Sequence, residues 1–254
     1  LIRSKNKGEN EMVVNNYINM TLNGEDYLLS YFSFSNLKGA FYSIANAKSF
    51  EEIDCKLGDE AKIKLISGDD KTTIYTGFID NFILFNGELN LVLKEGNTKF
   101  FGGKILSNYR EEKAESILSD ILSEIEITEK EIDFEDVEIE RFNLNFTPPH
   151  LALTYLIDTI YHYTNKKIIC FFDAKGKFHF VEEKKYIDGT KEVEFNTGEN
   201  ILSAYPGHIE TFVSDLRHSN KIKIDDSSFI SSGINFNFGS KQKMEVYFEP
   251  AESN

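Results

Sequence analysis

The chain has 254 residues, 41% of them hydrophobic and 28% charged, so it can bury a core and is too apolar for wholesale disorder. Its formal net charge is -14, and its basic residues never run longer than the pairs Lys166-Lys167 and Lys184-Lys185, which excludes a duplex-binding surface built from Lys/Arg clusters. No apolar run approaches the about 18 residues of a membrane span, and no secretory pattern opens the chain.

Residues 1–10, LIRSKNKGEN, are polar and read as a loose N-terminus. From Met12 to about Phe101 the text is β, in keeping with 22 Phe and 12 Tyr. YLLSYFSF (27–34), AFYSIANA (40–47) and EEIDCKL (51–57) carry strand residues. In the last of these Ile53, Cys55 and Leu57 alternate with charged residues, the pattern of a half-buried strand. Gly58-Asp59 punctuates, and EAKIKLI alternates again with Ala61, Ile63 and Leu65 on one face. SGDDKT (67–72) is a turn, and TIYTGFID follows with Gly77 between aromatic neighbours. A glycine inside a strand marks a bulge, a bend or a close backbone approach, and strongly curved barrel strands need such bends. Asn86-Gly87 signals a hairpin into ELNLVLKE. Strands at about 8- to 12-residue spacing with turn chemistry between them predict a barrel or sandwich.

The texture changes at Tyr109. In REEKAESILSDILSEI, Ala114, Ile117, Leu118, Ile121, Leu122 and Ile125 repeat as one helix face, with acidic residues in the first turn. Residues 126–140 read as a linker. A second helix opens at Pro148-Pro149, with Thr147 as the expected cap and Leu153, Leu156, Ile157, Ile160 and Tyr161 as the apolar face. Ile168–Phe172, a turn over Asp173–Gly176, and Lys177–Val181 make a hairpin. From Asn196 the chain returns to β: ENILSAY, HIETFVS, NKIKID, SGINFNFGS and KMEVYFE. The expected fold is α+β and mainly β, with two small β-barrel-like units flanking an α+β segment that holds two helices and a hairpin. The expected divisions are 1–105, 106–195 and 196–254.

No motif commits the chain to catalysis. The 42 Asp and Glu sit mainly in turns and on polar helix faces, so a paired-carboxylate cleft is not indicated. His150, His162 and His179 lack metal-ligand spacing, and neither H-E-x-x-H nor C-x-x-C occurs. His150 falls in the first turn of its helix and His179 in a hairpin strand. Cys55 and Cys170 lie in apolar strand-like runs and read as buried free thiols rather than a disulfide or metal pair. There is no G-x-S-x-G elbow, and Gly102-Gly103 precedes Lys104 without a phosphate-binding pattern. No residue is assigned a catalytic, cofactor or metal role, and no enzyme activity is expected.

The order of phrases carries more information. LGDEAKIKL, YTGFIDNF and GELNLVLKEG are followed by the helix AESILSDIL. Then come NFTPPHLALTYLIDTIYHYTNKKIICFFDAKGKFHFVEE and GENILSAYPGHIETFVSDL. This series, with Gly58-Asp59, Gly77 and the Asp173–Gly176 turn in order, resembles the baseplate hub proteins of phage tails, the late-control D type. Relatives of that type also occur in contractile injection systems and prophage tails. The resemblance spans roughly residues 10–240. It implies a scaffold: a homotrimer whose barrels form a pseudo-sixfold ring between tail tube protein and spike protein. DNA would pass through the lumen without specific binding, and the chain would reside in the tail baseplate of a virion or phage-like particle after synthesis in the bacterial cytoplasm. The same residues leave two alternatives. One is a carbohydrate-binding or host-surface adhesion module, which would want aromatic platforms and here has no Trp. The other is a tail-associated cell-wall hydrolase domain. INFNFG, with Phe236 and Phe238 alternating with Asn, fits a core strand or a ring-forming edge.

Overall fold

The computed structural model describes residues 16–212, 216–239 and 242–251. The expected loose N-terminus and the end of the HIETFVS strand lie outside them. The first β unit contains β1 (Asn16–Leu22), β2 (Glu25–Leu29), β3 (Tyr31–Leu37), β4 (Ile44–Ser49), β5 (Glu60–Ser67), β6 (Asp70–Phe85) and β7 (Glu88–Lys94). Neighbours run β2-β1-β5-β6-β7-β4-β3, and each of these pairings is antiparallel. The sheet curls back on itself where β2 ends. There Ser30 N–H donates to the Lys48 carbonyl at 2.9 Å, and Ser49 Oγ donates to the Leu28 carbonyl at 2.8 Å. Inward residues alternate along the strands, as Ile18, Met20 and Leu22 do on β1. Asn86 and Gly87 both take positive φ, as the tight hairpin between β6 and β7 requires.

EEIDCKL does not form the expected strand. Residues 51–57 run outside any ladder, although Ile53 and Cys55 still pack against the barrel core. Their alternation records burial without strand pairing. On β5 the phase slips after Ile63, so that Ile66 rather than Leu65 is buried.

The long strand β6 resolves the question of Gly77. Against β5, Tyr75 faces Ile63 and Thr73 faces Lys64, so Ile74 is an extra residue. Against β7, Ile79 faces Leu93 and Asn81 faces Val92, so Asp80 is a second. Two bulges on one strand flank Gly77 and bend it. Residues 74–79 are all buried because this stretch is covered on both faces. Ile74, Tyr75 and Ile79 enter the barrel core. Thr76 Oγ1 donates to the Ala174 carbonyl at 2.9 Å, and Phe78 packs on Phe101, so the other face meets the middle segment.

That segment holds α1 (Thr98–Gly102), β8 (Ile105–Lys113), α2 (Ala114–Glu124), β9 (Lys130–Asp133), β10 (Glu138–Thr147), α3 (Pro149–Thr164), β11 (Ile168–Phe172), β12 (Phe178–Glu182) and α4 (Glu183–Gly189). The first long helix starts later than its acidic prelude predicts. Residues 105–113 pair with β10 instead, and Ala114 N–H donates to the Val137 carbonyl at 2.8 Å, which fixes the helix start. Its face is as expected: Ala114, Ile117, Leu118, Ile121 and Leu122 are buried, the four large ones contributing on the order of 1.5–3 kcal/mol each. The expected linker 126–140 is structured. Its β9 runs parallel to β12, and Ile132 and Phe134 pack on the core of this segment. On α3, Leu153, Leu156 and Ile160 are buried, whereas Tyr161 points outward. Pro148 rather than Thr147 is the N-cap, without a side-chain bond. Pro149 has no N–H to satisfy, and the Thr147 hydroxyl accepts from Asn145 N–H instead at 3.1 Å. The β11–β12 hairpin forms with its turn at Asp173–Gly176.

The last segment holds β13 (Val193–Phe195), β14 (Ile201–Tyr205), β15 (His208–Thr211), β16 (Lys221–Ile224), β17 (Ser227–Phe238) and β18 (Gln242–Pro250). β17 is shared between the units. Its first half pairs with β16 and its second half with β3, while β18 follows it from Phe229 to Phe238. The handover falls at a bulge between Ser231 and Gly233. A Cβ on Gly233 would lie 2.7 Å from Leu37 Cδ2, the end of a half-exposed side chain, and 3.4 Å from the Asn36 carbonyl oxygen, so β17 and β3 approach closely at the handover. The two β segments thus form one continuous sheet, with one core that includes Phe32, Phe34, Tyr75 and Phe236. Phe236 and Phe238 are buried in the interior strand β17 and not at an edge. The fold is α+β and mainly β, two barrel-like units with an α+β segment between them in sequence.

Candidate functional site

Several segments of the chain meet in a buried polar junction. Glu95, just after β7, is wholly buried. Its Oε2 accepts from Ser43 N–H at 2.7 Å, and its Oε1 lies 3.5 Å from Arg217 Nη2. Arg217 comes from the segment between β15 and β16. Its Nη2 donates to the Ile74 carbonyl at 2.8 Å, and its guanidinium lies 4.7 Å from the Phe34 ring centre. Ile74 is the extra residue of the first β6 bulge, so the bulge helps turn a main-chain acceptor toward the arginine. Tyr75 OH donates to the Ser43 carbonyl at 3.0 Å. Asn36 Nδ2 donates to Ser43 Oγ at 3.2 Å, and its Oδ1 accepts from His218 N–H at 3.0 Å. The His218 ring packs edge-on against Phe171 of β11 at 4.8 Å. The junction therefore ties both β units to the middle segment.

Burial shifts its ionisable groups. Desolvation pushes the Glu95 carboxyl from 4.5 up to about 6, although Arg217 opposes the change. Desolvation, with Arg217 and Lys38 nearby, pushes the His218 imidazole from 6.5 down to about 4. The two act oppositely on stability. His218 binds a proton more readily in the unfolded chain, so its contribution is complete above pH 6.5 and is lost as pH falls toward 4. Glu95 binds a proton more readily in the folded chain, so its contribution grows as pH falls from 6 to 4.5. Denaturant titrations from pH 7.5 to 4.5 should therefore show wild type losing more stability than His218→Phe. A variant curve parallel to wild type would show that the imidazole does not charge on unfolding.

The histidines singled out in the sequence do not converge. His150 lies in the first turn of α3 and His162 is exposed beside Tyr163. His179 is buried, stacked on Phe171 at 4.8 Å, with Nε2 3.2 Å from Asp173 Oδ2. Among the described residues no three His, Cys, Asp or Glu side chains form a metal-binding group. Both cysteines are free. Cys170 is buried and desolvation raises its thiol well above the ordinary range, whereas Cys55 is only half-buried. Asp59, after the positive-φ Gly58, accepts from Lys56 N–H through Oδ2 at 2.9 Å, and its carbonyl accepts from Ile79 N–H at 2.9 Å. Gly58-Asp59 thus clamps β6 beyond Gly77. No helix among the described residues is long and apolar enough to cross a membrane.

Outside the junction, the conspicuous feature is exposed apolar surface. Phe50, Phe82, Ile83, Leu84 and Phe85 cluster around the β6–β7 turn, beside a groove of about 670 Å³ lined in part by Tyr31, Asn46, Lys48 and Asn90. Sequence reading missed both this patch and the junction. NFILF, four apolar residues in a row before a tight turn, was the available signal for the patch.

No protein-family model and no curated protein sequence matches the chain. Solved structures do match its fold. The 43 kDa tail protein of prophage MuSo2 from Shewanella oneidensis superposes with a TM-score of 0.69 at 8% identity, covering 93% of this chain and 97% of that one. A tail protein from Neisseria meningitidis MC58 gives 0.64 at 8% identity, covering 92% and 96%. The E. coli c3393 protein, a component of the type VI secretion system with structural similarity to the T4 tail proteins gp27 and gp5, gives 0.64 at 11% identity, covering 92% and 77%. The chain shares the fold of these tail and secretion-system proteins.

Proposed function

We propose that the chain is a structural component of a phage tail or phage-like injection apparatus. Within it, the chain acts as a baseplate hub subunit whose copies form a ring between tail tube and spike. The observation that carries the reading is a single sheet joining two barrel-like units through β3 and β17, in a fold that tail proteins match over nine-tenths of this chain. Two barrels per chain give a homotrimer six similar units, the number a sixfold tube needs. Such a component works through its contacts and needs no catalytic group. A net charge of -14 suits a lumen wall that DNA passes without adhering. The expected segments 1–105, 106–195 and 196–254 then correspond to the first barrel, the middle segment and the second barrel, with α1 and the start of β8 packed with the middle segment and β13 paired with β16 of the last.

Light scattering across a concentration series tests the reading. Three chains of 29.2 kDa give about 88 kDa, and electron microscopy of that species should show rings. A particle of 29.2 kDa at every concentration, alone and with tube and spike proteins added, would remove the ring from the proposal.

A further inference from the structure

We propose that residues Asn81–Phe85 of β6 form an inter-subunit edge that pairs with β14 of a second copy of this chain. The proposal rests on the ring reading for the identity of the partner. β5 accompanies β6 only as far as Phe78, and the Gly58-Asp59 clamp ends at Ile79. Beyond the Asp80 bulge, β6 has β7 on one side and no ladder on the other among the described residues. Natural proteins guard such edges with lysine, proline or charge, and this one carries none. Instead Ile83, Leu84 and Phe85 are 60%, 72% and 66% exposed. The tip also stands clear of the middle segment. From Phe78, which packs on Phe101, to Phe85 is seven steps of about 3.3 Å, roughly 23 Å.

A ring of identical chains needs two different edges on each copy. The outer strands of the main sheet path are β2 and β14. β2 opens with the exposed acids Glu25 and Asp26, which repel a second copy of a chain already at -14. β14 reads ILSAY, without charge, and beyond its single bridge at Thr197 its outer side is free among the described residues. Its Leu202 and Tyr205 are 47% and 48% exposed. Both segments are five residues long and uncharged, with four apolar residues in Asn81–Phe85 and a bulge at Leu202 in β14, and they belong to different β units. Strand addition between them joins the first unit of one copy to the second unit of the next.

The test is a charge swap read by light scattering, with Tm and far-UV circular dichroism to verify the fold. Ile83→Lys and Leu202→Glu should each raise the assembly midpoint at least tenfold, and the double variant in one chain should recover it. Hydrogen exchange adds a second readout: in assembled wild type the outward-facing amides within 82–85 and 202–205, those not bonded to β7 or β15, should be protected, and in either single variant they should exchange fast. Assembled wild type with equally assembled single variants overturns this contact and leaves the ring standing. Single variants that dissociate without recovery in the double variant overturn β14 as the partner edge. A wild type that never assembles overturns the ring and the contact together.

Discussion

Gly77→Val should leave a chain that does not fold, and Gly77→Ala should cost on the order of 3–5 kcal/mol. A Cβ at this position would stand 2.4 Å from the Lys94 carbonyl oxygen, 2.8 Å from its carbon and 2.9 Å from Tyr75 Cε1. Two of those atoms are main chain on the paired strand β7 and cannot rotate away. Relief would have to separate β6 from β7 at the one stretch of β6 that is buried on both faces. Overpacking a fitted core costs about 1–3 kcal/mol even where side chains can move, and total stability is only about 5–15 kcal/mol. Gly102→Ala is the internal control. Nothing lies within 4 Å of its added Cβ, so its effect should stay within about 0.5 kcal/mol. Urea unfolding of the three variants checks the ranking. An alanine at 77 as mild as the one at 102 would mean that β6 and β7 separate freely there.

Breaking the Arg217–Glu95 pair should be the second large effect, and it should be asymmetric. Removing one member of a buried pair costs about 3–5 kcal/mol because the other is left charged in a dry site. Glu95 can escape by taking up a proton, and its carboxyl already titrates near 6. Arg217 cannot lose one. Glu95→Gln should therefore be worse than Arg217→Met at pH 7.5, and lowering the pH to 5.5 should relieve Arg217→Met without helping Glu95→Gln. The double change Glu95→Gln with Arg217→Met should cost less than the two singles combined, by about 2 kcal/mol or more. Additive singles would show that the 3.5 Å contact carries no energy.

What was legible in the sequence was local. Asn86-Gly87, the Asp173–Gly176 turn and the apolar face of α2 each depend on residues within a few positions, and the structure realises all three. The misreadings share a cause. Residues 109–113 have helical neighbours but a strand partner in β10, and residues 130–133 look like an acidic linker until β12 lies beside them. EEIDCKL alternates because one side touches the core, not because it has a ladder. The junction was out of reach altogether, since Arg217 meets Ile74 across 143 positions of chain. Nothing near either residue announces that contact.

The β3–β17 ladder also bears on how the chain folds. Ser35 Oγ donates to Asn235 Oδ1 at 2.7 Å across 200 positions, a separation that places this pairing among the slow, high-contact-order steps. During synthesis the first barrel can close on its own seven strands while the outer edge of β3, with Phe32 and Phe34 at its centre, waits for nearly the whole chain to emerge. A ribosome-bound or truncated product ending before β17 would carry that sticky edge uncovered. Fragments stopping near residue 195 should therefore aggregate, whereas the full chain, with β17 in place, has closed that edge before it meets a second copy.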